Sequence, residues 1–525
     1  MYSNGRMAYA ARMIKHKTNK SPHDQKGQKV ARSSYSPISD ALSQQNTLAD
    51  NEFHEGLRNF KLVTLLSQCL PKERRSDAVE LSQILITLLV WPVLKSASIH
   101  CFCSELCQYI KKGAQKIKRP ADVIYDFWGR EDINWRKFST KTSLKISKEL
   151  NLGNSQDIAF VVDDSLKPRR GKKVEASSLH HDHNSGRTIQ GHQLLELGIV
   201  GEGSFVPVDR QIYTGSKNAI HKPESKGFAD KRSASSQDMK RALEEDKNQM
   251  LERMLKSAMR AGFKARYLLA DAWFGIKKNI DTAIDLELVA IFQMKRGKLK
   301  YLYAGRDYTA KELHVRFNRQ MTASSNKALY KTVRIEVEIN LETNAKAPAR
   351  WKKVALVLSA PQRSKHQNWV VFLTTDLELR AEKVLEIYSK RWSIEVYFKE
   401  VKQHFGLLAE QSGKYQVTYA SVHLAAVRYL IIYEAMQRNG SISFGEQRDL
   451  VSGKLLIMSF ASLLWQLFRS LITGVLEGMG NLGEETLHAL TGAIDHAVEE
   501  FLDEAFHMTD KHMKSLEAAE NLGQI

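Results

Sequence analysis

Two short, unbroken apolar runs constrain the fold most, because each stops at an acid. They are Ile158 to Val162 within DIAFVVDD (157–164) and the apolar stretch of ARYLLADAWFG (265–275). Apolar runs of this length without alternation suit strands covered on both faces, as in the interior of a sheet flanked by helices. Asp163 and Asp164 close the first run, and Asp271 closes the second. LLELGIV (194–200), SFVPVDRQIY (204–213) and LELVAIFQMKR (286–296) are further strand candidates. A helical stripe over 240–260 carries Leu243, Met250, Leu251, Met254, Leu255 and Ala258 on one side and ends at Gly262. The alternation of strand and helix predicts an α/β core.

The flanks have a different texture. Apolar patches of helical period over 50–115, interrupted at Pro71 and Pro92, predict a small helical unit. Over 297–368 the pattern turns β-like: Val333, Ile335, Val337 and Ile339 alternate with polar residues, and WKKVALVL (351–358) follows. NWVVFLTTD (368–376) returns to an apolar run that can rejoin the main sheet, and helical patterns dominate after 380. The expected division is a basic flexible arm (1–45), a helical and DNA-binding region (46–150), a first core part (151–296), a β-rich insertion (297–368), a second core part (369–440) and a helical C-terminal region with an assembly role (441–525).

Charge narrows the partners. Lys plus Arg outnumber Asp plus Glu by 78 to 59, a formal net charge of +19 that attracts polyanions. The first 32 residues hold eight Lys or Arg with no apolar stretch behind them, unlike a secretory leader. The most apolar tracts, 81–94 and 455–468, fall short of the roughly 20 residues a bilayer-spanning helix needs and read as buried helices. No membrane partner is expected. Four cysteines, Cys69, Cys101, Cys103 and Cys107, form neither a disulfide framework nor a zinc spacing, and a reduced cytoplasmic setting is the simpler account. HHDH (180–183) also lacks zinc spacing.

Asp164, Asp271 and Glu395 occupy places where catalytic acids are useful: two strand ends, and a helix predicted over 380–406. Such a cluster holds two divalent cations about 3.5–4 Å apart, one activating water or a 3′ hydroxyl and the other stabilising the leaving oxygen. Magnesium suits all-oxygen ligation beside phosphate, with manganese as a substitute. Steps of 3, 4 and 7 residues place Tyr388, Arg391, Glu395 and Lys402 near one helix face. The plain alternative is a helix ion pair of Glu395 with Lys399 or Lys402, worth about 0.2–0.5 kcal/mol.

YSKRWSIEVYFKEVK (388–402) matches all four positions of a Tyr-x2-Arg-x3-Glu-x6-Lys signature, and in this the chain resembles the DDE insertion-sequence transposases that carry it. VVDDSLKPRRGKK (161–173) is similar to the segment around that group's first Asp, giving Asp164 as first ligand with Asp163 as the fallback. LLADAWFG (268–275) is similar to the second-Asp segment and gives Asp271. Ser165 stands where Thr is commoner and keeps the hydroxyl.

The resemblance implies a ribonuclease H-like mixed-sheet core with a β-rich insertion, flanked by helical regions. It also implies metal-dependent cleavage of double-stranded transposon ends and strand transfer into target DNA, a homodimer in a synaptic complex, and a bacterial cytoplasmic setting. Asp164, Asp271 and Glu395 are then the catalytic metal ligands, while Tyr388, Arg391 and Lys402 bind DNA phosphate. Lys167, Arg169, Arg170, Lys172 and Lys173, just after Asp164, are candidate DNA contacts, and Trp273 and Trp392 are candidate stacking surfaces. The competing functions are a metal-dependent nuclease or resolvase without strand transfer, and a catalytically silent DNA-binding regulator.

Overall fold

A computed structural model of the chain describes residues 52–71, 78–105, 111–112, 115–116, 119–154, 156–171, 173–182, 186–215, 227–325, 328–344, 346–362, 368–440, 443–449, 489 and 492–493. The expected basic arm, Lys172, His183, Cys107 and the tract 455–468 lie outside the described residues. The described residues form two compact units, one from 52–142, 228–236 and 400 onward, the other from 143–227 and 237–399.

The first unit is helical: α1 (Glu52–Asn59), α2 (Leu62–Ser67), α3 (Leu81–Val90), α4 (Ile99–Glu105), a two-rung hairpin of β1 (Lys111–Lys112) and β2 (Gln115–Lys116), α5 (Pro120–Trp128), the start of α6 (Trp135–Glu149), and α13 (Tyr415–Asn439). Every residue of α3 is buried, as expected of a helix that is apolar all round. Its C-terminal carbonyls, which have no partner within a helix, are taken by Arg428 of α13: the guanidinium donates to Leu88 O at 2.6 Å and Leu89 O at 3.1 Å, and also to Phe405 O, outside α3, at 2.9 Å. Among the described residues no helix is long and apolar enough to cross a membrane.

The second unit is a mixed sheet with helices. Its strands are β3 (Ala159–Pro168), β4 (Ser178–Asp182), β5 (Arg187–Gly201), β6 (Ser204–Tyr213), β7 (Tyr267–Ala270), β8 (Val289–Met294), β9 (Lys300–Tyr303), β10 (Arg306–Thr309), β11 (Thr322–Ala323), β12 (Tyr330–Asn340), β13 (Trp351–Pro361) and β14 (Val370–Thr374). β3, β7 and β8 run parallel side by side, and β5 pairs antiparallel with β3 and carries β6. On the other side β14 pairs antiparallel with β8, and β13, β12, β9 and β10 continue the sheet from it. Residues 297–368 thus contribute β9 to β13 and α10 (Ala310–Phe317) as an extension of the sheet beyond β14.

Two helices expected to be continuous are each divided. The stripe at 240–260 splits into α7 (Ala234–Glu244) and α8 (Lys247–Ala261). Asp246 starts the second with a capping box, accepting from Asn248 N at 2.8 Å and Gln249 N at 2.9 Å while Gln249 Oε1 accepts from Asp246 N at 2.8 Å. The span 380–406 splits into α11 (Ala381–Ser389) and α12 (Trp392–Gln403). Through the break the backbone tightens to three-residue bonds, with Arg391 N donating to Tyr388 O at 3.0 Å and Ile394 N to Arg391 O at 3.2 Å. Two serines compete for nearby carbonyls: Ser389 Oγ donates to Glu386 O at 2.6 Å and Ser393 Oγ to Lys390 O at 2.7 Å. Periodicity alone does not register this competition.

A buried ion pair ties α12 to the sheet. Arg210 of β6 and Glu196 of β5, both fully buried, approach to 3.1 Å, and the Tyr397 hydroxyl of α12 donates to Glu196 at 3.4 Å. Burial raises the Glu196 carboxyl while Arg210 pulls it back. Beside this network Phe205 packs its ring 5.3 Å from that of Tyr397. Gly198 lies at a register shift of β5, and a Cβ there would run into the Phe205 ring. Gly198→Ala should therefore cost about 1–3 kcal/mol by overpacking; a thermal midpoint equal to that of the wild type would refute this close approach.

Candidate active site

β3 and β7 bring two acids together by register. The parallel pairing matches Val162 with Ala270, so Asp163 and Asp271 follow at adjoining strand positions. Side chains alternate along a strand, and the consecutive Asp163 and Asp164 therefore point to opposite faces. Their partners confirm the separation. Asp163 Oδ2 accepts from Arg391 Nη1 at 2.9 Å, and the other terminal nitrogen of Arg391 donates to Glu395 one turn on in α12. Asp164 instead accepts from Lys247 Nζ at 2.6 Å and Gln193 Nε2 at 2.7 Å. The structure thus places Asp163, rather than Asp164, with Arg391 and Glu395.

The electrostatics follow from this crowding. Burial pushes the Asp163 carboxyl up to about 7; Arg391 opposes the rise, and the negative charges of Asp271, Asp164 and Glu395 add to it. Burial works against the charge of Arg391, yet Tyr388, Asp163 and Glu395 together hold its proton more tightly than usual. Asp271 faces its own turn, with Oδ1 accepting from Trp273 N at 2.8 Å and Phe274 N at 3.4 Å. Tyr388 donates to Gln293 of β8 at 3.3 Å and lies on Phe372, with ring centroids 4.6 Å apart; burial raises its phenol. Lys402 is half-buried near the end of α12, seven residues or about 10 Å of helix beyond Glu395.

The remaining expected residues are scattered along β3 and the turn after it. Lys167 is half-buried near the end of β3, Arg169 is half-buried, and Arg170 and Lys173 are exposed. Trp273 is 38% exposed and has the Lys247 ammonium 4.6 Å from its ring centroid, whereas Trp392 is half-buried. His180 lies on β4, not in a polar loop; Ser178 Oγ is 2.6 Å from its Nε2, and burial pushes the ring down to about 4. Among the described residues no three His, Cys, Asp or Glu side chains are gathered as a ready-made metal site, at HHDH or at the acids.

Sequence reasoning missed Lys247, Gln193 and the Glu196–Arg210 pair. Each meets its partner across a gap in sequence that carries no periodic signal. The alternation along β3 could have separated Asp163 from Asp164, but not told which of them meets α12.

Replacing Arg391 with Ala leaves two half-buried carboxylates without their cation. The expected loss is about 1–3 kcal/mol above neutral pH, where Asp163 is ionised beside Arg391. It should shrink as pH falls through about 7, because protonating Asp163 removes the charge that needs compensation. Denaturation of Arg391→Ala and wild type across that range tests this, and a pH-independent difference would refute the charge-balance account.

Comparison with known families adds an independent view. Residues 111–310 match the family described as DDE superfamily endonuclease, and residues 229–431 match the Transposase DDE domain. No curated protein matches the chain. The first match contains Asp163, Asp164 and Asp271; the second contains Asp271, Arg391 and Glu395. DDE superfamily domains imply a ribonuclease H-like fold, with which the large mixed sheet is consistent, and a DNA substrate. The two matches, overlapping at Asp271 and covering every acid of the cluster, support a DDE transposase.

Proposed function

We propose that this chain is a transposase of the Tyr-x2-Arg-x3-Glu-x6-Lys group, cutting double-stranded transposon ends and joining them to target DNA by phosphoryl transfer. One observation carries the reading: Arg391 bridges Asp163 and Glu395 at the strand ends where Asp271 also stands. Asp163, Asp271 and Glu395 are the three acids of this proposal, and Asp163 takes the place first given to Asp164. In this reading Asp164 fixes β3 against α8 through Lys247.

The donor chemistry fits a hard divalent cation, since all three groups are carboxylates and their mutual repulsion helps hold Asp163 up to about 7. Bound Mg2+, or Mn2+ in its place, would supply activation of water or a 3′ hydroxyl and stabilisation of the leaving oxygen. Arg391 provides the compensating positive charge in the present arrangement. Were the carboxylates to hold cations, its planar guanidinium would be available to a DNA phosphate, with geometry suited to two parallel hydrogen bonds. Lys402 adds a second phosphate contact further along α12. Tyr388, anchored on Gln293 and Phe372, orients the Arg391 side of the site. Lys167, Arg169, Arg170, Lys172 and Lys173, which follow the strand-end acids in sequence, are further candidate contacts for the same DNA. Assembly as a homodimer on paired ends and a bacterial cytoplasmic setting belong to the same proposal.

The test uses the full chain with a labelled duplex carrying the element's terminus, a target duplex and Mg2+. Wild type should give cleaved and joined products. Asp163→Asn, Asp271→Asn and Glu395→Gln should each lower cleavage by at least a hundredfold while DNA binding persists, a loss of about 2.7 kcal/mol or more in transition-state stabilisation. Cleavage without joining would point to a nuclease. Near-normal cleavage by Asp163→Asn together with loss in Asp164→Asn would return the first position to Asp164.

A further inference from the structure

A second basic feature lies on the sheet unit, outside the acids and the signature helix. Lys295, Arg296, Gly297, Lys311, His314, Val315 and Trp369 line an open pocket of about 670 Å³. Lys295, Arg296 and Lys311 are exposed, so three positive charges stand at the pocket. The floor is aromatic but already engaged. His314 stacks on Trp369 with centroids 4.1 Å apart and planes within 2°, the Arg296 guanidinium lies 5.0 Å from the same ring, and Trp369 is only 7% exposed. A base would find little free aromatic face here, and an anionic oxygen would find several cations.

The pocket's position gives it a role. β8 runs parallel to β7, with Ala270 opposite Phe292, so the chain leaving β8 toward Lys295 emerges at the same sheet end as Asp271. Trp369 enters β14 at that end too, since Val371 pairs with Met294. Gln293, which accepts from Tyr388, precedes Arg296 by three residues across the bend after β8, a reach of at most about 10 Å. Along one DNA strand the phosphates follow at about 3.4 Å of axis, so this span corresponds to no more than about three nucleotides.

We propose that this pocket binds backbone phosphates of the DNA strand that enters the acids, a few nucleotides from the scissile bond, with Lys295 and Lys311 as its principal contacts. The inference rests on the proposed transposase reading for the identity of the DNA. Its chemistry is that of a phosphate contact, which positions the strand without reading its sequence.

The test measures binding of the full chain to a random-sequence duplex over a salt series. Replacing both Lys295→Gln and Lys311→Gln should lower the slope of log affinity against log salt by about 1.8, two contacts at 0.9 each, so a fourfold rise in salt costs the variant about tenfold less affinity than it costs wild type. Removing the same charge at Lys352→Gln and Lys353→Gln on β13 should leave the slope unchanged. Equal slopes for wild type and the pocket variant, an equal fall in the β13 variant, or ATP binding that the pocket variant loses while its DNA slope stays normal would each overturn the proposal. The failures are separable: cleavage by wild type with equal slopes sinks the pocket alone, whereas a slope difference in a chain that cleaves no transposon end sinks only the transposase reading.

Discussion

The site depends on one constraint, the balance of charge around Arg391. Half-buried carboxylates repel, and a single guanidinium lies between two of them, reaching β3 with one nitrogen and α12 with another. Partial desolvation makes this arrangement conditional, since removing one partner leaves the other charge half-buried and costs more than an exposed pair contributes. The same guanidinium is the group best shaped for phosphate.

Two features hold α12 where this balance needs it. The break at Lys390 and Arg391, backed by two serine hydroxyls on helix carbonyls, separates α11 from α12. On the buried side of α12, Tyr397 rests against the Glu196–Arg210 pair and Phe205. The latter is a polar anchor in an otherwise apolar seat. It gives α12 a register that hydrophobic packing by Ile394, Phe398 and Val401 would specify less sharply, because apolar contacts are non-directional.

Much of the fold was legible in the chain. The runs at 157–164, 265–275 and 286–296 hold the three parallel strands, and the alternation of Val333 to Ile339 lies in β12. Of the candidate site, the placement of Asp271 at a strand end and of Glu395 one helical turn from Arg391 was legible from the apolar runs and the spacing. The choice between Asp163 and Asp164 was not, nor was the break in the signature helix. The first is a question of which face of β3 meets α12, and the second arises from side chains competing with the backbone.

By itself the sequence determined an α/β chain with acids at strand ends, a basic surplus and a spaced Arg–Glu–Lys face, because hydrophobic period and residue spacing are local properties. Only the tertiary structure decided which neighbouring aspartate joins Arg391, that Asp164 belongs with Lys247, and that Arg210 is buried against Glu196. Those outcomes are contacts between residues distant along the chain, and charge partners are chosen by where folding leaves each side chain out of water.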